Sequence, residues 1–262
     1  MLNAARRPSA ATLDSTPITV ARPVTGLGDR SSADDLPFTI RTLTPRSQLL
    51  VEHGEHVLVG LSPFNGYYKP ALVRQLVAWC FHRFDAIDVF LPGYEAAYTL
   101  TAGGMAPQEA VHRARRAVRS LRNAAVTALQ DCGHPTASAQ VHTWTALAGR
   151  AAYSQLHDQV REHYRRDPVV RDACRQTARA AVFTNSGVEP TAAQLDIAVT
   201  YPLAELPLLL DSPSIFGVCS SVFVYHREME PFTPLLLGRA PTVAPLDAQG
   251  FAIVEVGGDV HR

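Results

Sequence analysis

Lysine is nearly missing from this chain of 262 residues. Lys69 is its one lysine, so the rest of its 24 basic side chains are arginines. Cysteine is scarce as well. Cys80, Cys132, Cys174 and Cys219 stand far apart, with no C-x-x-C pair among them. That spacing argues against a disulfide framework or a zinc knuckle. Excess charge is absent, since 24 acidic residues balance the 24 basic ones. A protein basic over its whole surface is thereby excluded, although a local basic patch is not. No apolar run is long enough to span a bilayer, and none before residue 35 could form the core of a signal peptide. Neither H-x-x-x-H nor H-E-x-x-H occurs and the carboxylates are scattered, so no metal is expected. These absences together predict a cytoplasmic protein without a metal or other cofactor.

What remains is ordinary globular material, 47% apolar and 18% charged. Residues 1–36 are rich in Ser, Thr, Pro and Asp and read as a disordered or loosely attached tail. Residues 37–262 carry the periodic segments. "FTIRTL" (38–43) alternates like a strand, and "SQLLVEHG" (47–54) reads as a second short strand. "HVLVGL" (56–61) is almost continuously apolar, as a strand buried on both faces should be. A helical pattern with Pro70 in its first turn covers 70–84, and "AIDVFLP" (86–92) is strand again. Strand, helix, strand is a βαβ unit and implies a parallel sheet. Helices are expected at 107–130, 145–165, 168–183 and 191–210, with strands at 139–144 and 220–226. "PFTPLLLG" reads as a short helix and 250–256 as a last edge strand. The expectation is α/β: a single Rossmann-like domain with a central, mostly parallel sheet flanked by helices.

Ser62 follows the buried run at the carboxyl end of its strand, where doubly wound folds place their ligands. Capping the next helix is the plain alternative role. G-x-G-x-x-G is not formed, and Phe64 breaks the G-x-S-x-G of a hydrolase elbow. Tyr201 and Glu205 are four residues apart and share a helix face. Glu205 stands among Leu203, Ala204, Leu206 and Leu208, so its carboxylate needs a cation or a hydrogen-bond donor, and a protonated amine would serve. Pro202 and Pro207 remove helical N–H groups, which predicts a bend here. In "SSVFVYH" alternation sets Ser221, Phe223 and Tyr225 on one face, with Tyr225 at the strand's carboxyl end like Ser62 on its own. The helix after residue 107 carries Arg113, Arg115, Arg116, Arg119 and Arg122, with no acidic residue between Glu109 and Asp131. A solvated face is the plain reading. Five cations in so short a stretch of a neutral protein favour a phosphate polyanion.

"VLVGLSPFNGYY" (57–68), "YPLAELPLLLDSP" (201–213) and "SSVFVYH" (220–226) together resemble the signature segments of cyclodipeptide synthases, in that family's order and spacing. The resemblance implies a fold like the catalytic domain of class I aminoacyl-tRNA synthetases. It implies an enzyme that takes two aminoacyl-tRNAs and forms a cyclic dipeptide through aminoacyl- and dipeptidyl-serine intermediates. Ser62 would be the nucleophile, Tyr201 and Glu205 would hold the α-amino group, and Tyr225 would assist proton transfer. Asn65 would position substrate, Tyr153 would line the site, and the arginine-rich helix would bind tRNA. Family precedent is a monomer needing no ATP site, with tailoring enzymes as possible downstream partners. This chain departs from the pattern at Gly66, where a serine is usual, and at Pro202 directly after Tyr201.

The same resemblance places a first amino-acid pocket at Leu58, Gly60, Phe90, Trp144, Leu208 and Phe223. Its bulky aromatics imply a small residue such as alanine. A second pocket falls at Thr177, Ala181, Thr184 and Arg227, where Arg227 would pair with a carboxylate, so glutamate is the expected partner. Two rival expectations stand beside this one: a serine esterase using Ser62, and a tRNA-binding protein without catalysis.

Overall fold

The apolar run at 56–61 forms the centre of a six-stranded sheet. The computed structural model describes residues 38–257, so the tail at 1–36 lies outside the described residues. The strands are β1 (Phe38–Thr42), β2 (His56–Gly60), β3 (Ala86–Leu91), β4 (Val141–Thr143), β5 (Ser221–Tyr225) and β6 (Gln249–Val256), in spatial order β1-β6-β5-β2-β3-β4. Every pairing is parallel except β1 with β6. The expected mostly parallel α/β sheet is present.

β2 is buried along its whole length because both faces are covered. Val57 and Val59 pack with α2 (Pro70–Arg83) and α4 (Pro107–Asp131) in one core. Leu58 points to the other face. There α6 (Ala151–Arg166), α7 (Pro168–Ser186) and α9 (Thr200–Phe216) close a second core around Phe90, Phe223 and Leu208. Each such side chain contributes about 1.5–3 kcal/mol by leaving water.

Several elements differ from expectation. Residues 45–53 are a helix, α1 (Pro45–His53), not a strand. Thr44 caps it by accepting from the Ser47 N–H, Pro45 sits in the first turn, and Gly54 ends it at φ 70. These start and stop signals outweigh the apolar pair Leu49-Leu50 on which the strand reading leaned. β6 is not an edge strand, for it lies between β1 and β5. The strand at 139–144 shrinks to β4 behind a 3-10 turn, and its Trp144 opens α5 (Trp144–Leu147) instead. The helix expected at 191–210 is two helices, α8 (Ala192–Ala198) and α9, parted at Val199. Pro202 accounts for that break, since it cannot donate to the Ala198 carbonyl. A second interruption lies at Asp211 (φ −157°, ψ 60°), two residues before Pro213. Sequence reasoning missed a 3-10 turn at Gly93–Ala96 and α3 (Ala97–Ala102) after β3. A short α10 (Thr233–Leu236) follows β5.

A polar cluster ties four elements together under α9. Asp88 of β3 accepts from Nε2 of both His56 (3.1 Å) and His142 (2.6 Å), and His56 Nδ1 meets Ser221 Oγ at 2.8 Å. Burial alone would raise the Asp88 pKa. Hydrogen bonds from His142 and His56 more than offset that and hold the carboxyl below its usual 3.8. The stabilisation is present above pH 3.8 and is lost as pH falls through the lower folded-state value. Asp88→Asn is expected to cost about 2 kcal/mol or more in urea unfolding at pH 7. The gap to wild type should close in strong acid.

Candidate active site

The chain runs from β2 outward to β3 and β4, then returns across β2 to lay down β5 and β6. The strand order therefore reverses between β2 and β5, and the crevice beyond their carboxyl ends is where such sheets bind ligands. Ser62 lies two residues past β2, and Tyr225 is the last residue of β5. The register pairs Val59 with Val224, which brings the two strand ends side by side. From above, α9 contributes Tyr201 and Glu205 one turn apart. Ser62, Tyr201, Glu205 and Tyr225 all line one pocket of about 440 Å³.

The loop after β2 is held by a complete relay of hydrogen bonds. The Tyr67 N–H donates to Asn65 Oδ1 (3.0 Å), and Asn65 Nδ2 donates to His226 Nε2 (3.0 Å). His226 Nδ1 meets the Tyr68 hydroxyl (3.1 Å), which donates to the Gly60 carbonyl (2.9 Å). The relay requires a neutral imidazole with its proton on Nδ1. Burial, aided by the Arg227 charge, lowers the His226 pKa to about 4 and keeps the ring in that form. The Asn65 amide and the Tyr68 phenol thus fasten the serine loop to the end of β5 through His226. Phe64 in this loop takes φ 67°, a left-handed conformation that costs a non-glycine residue about 1 kcal/mol or more.

The electrostatics of the pocket favour donors. Burial raises the Glu205 pKa from 4.5 to about 7. Burial, then the nearby Glu205, hold the Tyr201 phenol well above its usual range, with a hydrogen bond to Ser62 pulling the other way. Tyr225 is pushed up to about 12, again by burial first and Glu205 second, against hydrogen bonding to Ser62 and Asn65. Both phenols are protonated at neutral pH. The Trp144 ring meets Tyr201 edge-on at 4.7 Å and fixes its orientation. Among the described residues Ser62 has no side-chain base in hydrogen-bond contact: its Oγ meets the Pro63 carbonyl at 3.5 Å and the two protonated phenols, and both nitrogens of His226 are engaged elsewhere. This is a nucleophile suited to exchanging an ester that is already activated.

The remaining candidates divide by depth. Thr177, Ala181 and Arg227 are in the pocket wall, whereas Thr184 is exposed one residue before Asn185, which is in it. Asn65 and Tyr153 are not in the wall. Asn65 belongs to the loop relay, and the Tyr153 hydroxyl donates to the Ala204 carbonyl at 2.8 Å, bracing α9 beside Glu205. Leu58, Gly60, Phe90, Trp144, Leu208 and Phe223 also lie behind the wall. Phe90 and Trp144 pack at 5.6 Å, and a Cβ added to Gly60 would sit 2.6 Å from the Phe223 ring. Gly60 is thus glycine to admit Phe223. Sequence reasoning missed Phe64, Thr99, Glu228 and Glu230 in the wall and His226 in the relay. Strict alternation along β5 puts His226 on the strand face opposite Tyr225. Its place at the strand's end, where the chain leaves the pleat, was the signal that could have found it.

Along α4, Ala110, Ala114, Val118, Leu121, Ala125 and Leu129 form the buried stripe. Arg113, Arg115, Arg116 and Arg119 are exposed, and Arg122 donates to the Ser138 carbonyl at 3.3 Å. Among the described residues none of the five joins an ion pair. Among the same residues no group of three His, Cys, Asp or Glu side chains is placed to hold a metal ion, and no helix is long and apolar enough to cross a membrane.

Similarity to known proteins agrees with this geometry. The cyclodipeptide synthase family matches residues 38–256. A cyclo(L-leucyl-L-leucyl) synthase of Bacillus subtilis is 32% identical over 197 residues, covering 72% of this chain and 78% of its own. A cyclodipeptide synthase from Bacillus thermoamylovorans superposes with a TM-score of 0.79 at 26% identity, over 86% of this chain and 99% of its own. The Mycobacterium tuberculosis protein whose structure relates cyclodipeptide synthetases to type I tRNA synthetases superposes with a TM-score of 0.74 at 29% identity, over 84% and 94%. With the family match running from the first described strand to the last, and with solved members sharing the fold, this chain belongs to the cyclodipeptide synthases, enzymes of the aminoacyltransferase type.

Proposed function

We propose that this enzyme condenses two aminoacyl-tRNAs into a cyclic dipeptide, with Ser62 as the temporary acyl carrier. The observation that carries the proposal is the pocket itself. It joins a serine without a base to two protonated phenols and to a buried carboxylate poised near neutrality. Ser62 Oγ attacks the ester carbonyl of the first aminoacyl-tRNA, and the departing ribose oxygen takes up a proton. Tyr201 and Glu205 hold the α-ammonium of the bound aminoacyl group. A carboxylate with a pKa of about 7 can also accept a proton from it and free the amine. That amine attacks the ester of the second aminoacyl-tRNA, giving dipeptidyl-Ser62 and a second free tRNA. The dipeptide's own amine then attacks the Ser62 ester, closes the ring and restores the hydroxyl. This last step is intramolecular and is favoured by proximity. Tyr225 keeps its proton and donates a hydrogen bond to the oxygen that develops charge. The exposed arginines of α4 hold tRNA phosphates.

The product we propose is cyclo(Ala-Glu). Phe90, Trp144 and Phe223 are packed in the core and leave no opening between them, which supports a small first residue if the first pocket lies there. Arg227 stands exposed in the wall and, among the described residues, makes no ion pair, while its neighbour Glu228 accepts from Thr233 at 2.9 Å. Incubation with radiolabelled aminoacyl-tRNA followed by an acid quench should leave label on the polypeptide at Ser62. Cyclic product without labelled protein would end the acyl-carrier account. Mass spectrometry of cells expressing the protein should show alanine and glutamate in the diketopiperazine, and Arg227→Ala should reduce the glutamate product about tenfold. A wild type that made only large hydrophobic products would overturn the pocket assignment and leave the synthase reading standing.

The esterase reading fails on His226, whose two nitrogens serve the loop relay. Family membership sets aside a protein without catalysis.

A further inference from the structure

Phe64 stands between the basic helix and the nucleophile. Its backbone occupies the left-handed region, and among the described residues it is the one non-glycine with positive φ. Gly66, two residues on, needs no such freedom: its φ is not positive, and a Cβ there would meet nothing within 4 Å. The loop therefore puts a ring where glycine would fit better and a glycine where a side chain would cost nothing. Strain of this kind persists where function requires it. The Phe64 ring is half-buried, lines the pocket that contains Ser62 and packs against the small cluster of Ala96, Leu100 and Ala110. The Arg113 guanidinium lies 5.7 Å from its ring centre. Arg113 thus lies against a ring that lines the pocket, while Arg115 lies over Tyr94 at 5.8 Å.

We propose that Phe64 is the platform on which the terminal base of the aminoacyl-tRNA stacks, with Arg113 beside it to meet the adjoining phosphate. This inference rests on the tRNA reading above and adds a residue to it. The unpaired 3′ end of a charged tRNA must leave the duplex held by the arginines and enter a pocket too small for a helix. An aromatic ring flanked by a guanidinium is the usual device for holding such a single-stranded base, because every base has a face to stack. Stacking here would fix the distance between the phosphates on α4 and the ester at Ser62.

The test uses two uncharged acceptor-stem minihelices, one ending in CCA and the other lacking the final adenosine. Wild type should bind the complete minihelix about tenfold more tightly, the discrimination expected of one stacked base. Phe64→Gly should bind both equally weakly, and Phe64→Trp should restore the preference. Melting of Phe64→Gly at or above the wild-type temperature shows that the loss is not unfolding, since glycine relieves the left-handed strain. Discrimination that survives in Phe64→Gly overturns the platform alone. A wild type that binds neither minihelix overturns it together with the tRNA reading.

Discussion

Ser62→Ala should stop cyclic dipeptide formation and leave the fold in place. The side chain is half-buried, and besides a long contact of its Oγ to the Pro63 carbonyl at 3.5 Å it meets the Tyr201 and Tyr225 phenols. Its removal should change stability by about 1 kcal/mol. The loop stays closed because the relay from Tyr67 through Asn65, His226 and Tyr68 to Gly60 does not include Ser62. Activity should fall by about three orders of magnitude or more, as when other covalent nucleophiles are removed. Product measured by mass spectrometry, with melting temperature as the control, checks both halves. An alanine variant that turned over at the wild-type rate would show that the acyl group travels between tRNAs without touching the protein.

Glu205→Gln should stabilise the protein and disable it. The carboxyl is 6% exposed, and burial raises its pKa from 4.5 to about 7. The folded state therefore holds the proton more tightly than the unfolded state does. Stability falls as pH climbs from 4.5 towards 7 and is lowest above it, where the full penalty of a buried charge applies. That penalty is about 3 kcal/mol in order of magnitude, and the neutral amide escapes it. Glutamine should thus raise stability at pH 8 by about 1–3 kcal/mol, with almost no gain at pH 4. Catalysis moves the other way. An amide cannot neutralise the α-ammonium or take its proton, so kcat/KM should drop by about a hundredfold or more. In wild type kcat/KM should decline below pH 7 as Glu205 protonates, and the variant should lack that limb. A glutamine variant with full activity and an unchanged pH profile would remove Glu205 from the chemistry.

The two variants probe opposite sides of one arrangement. Ser62 is stabilised by little around it, and Glu205 is held at a cost. Neither would be retained by stability alone, and they share a pocket with two phenols whose protons burial locks in place. Stability at this site has been given up for a defined set of protonation states.

The βαβ order, the buried central strand and the two-sided helix α4 were legible in the sequence because each rests on a local period. Ser62 and Tyr225 were legible as strand ends, and Tyr201 with Glu205 as one helical face, because a strand or helix fixes where its side chains point. The sequence alone therefore determined the class of sheet, the four residues that meet in one pocket and the family resemblance. Tertiary structure decided the rest. α1 reads as a strand from its apolar run alone, and the capping residues Thr44, Pro45 and Gly54 on either side are what make it a helix. β6 was placed at an edge because strand order depends on which crossovers pack best across the whole sheet. His226 was passed over because its partners, Asn65 and Tyr68, lie more than 150 positions away in the chain and meet it where β2 and β5 end together. Which residues line the pocket and which fill the space behind it followed from the depth of Phe90, Trp144 and Phe223 beneath α9. Depth is a property of the packed chain, set by many distant contacts at once, and no local pattern of residues encodes it.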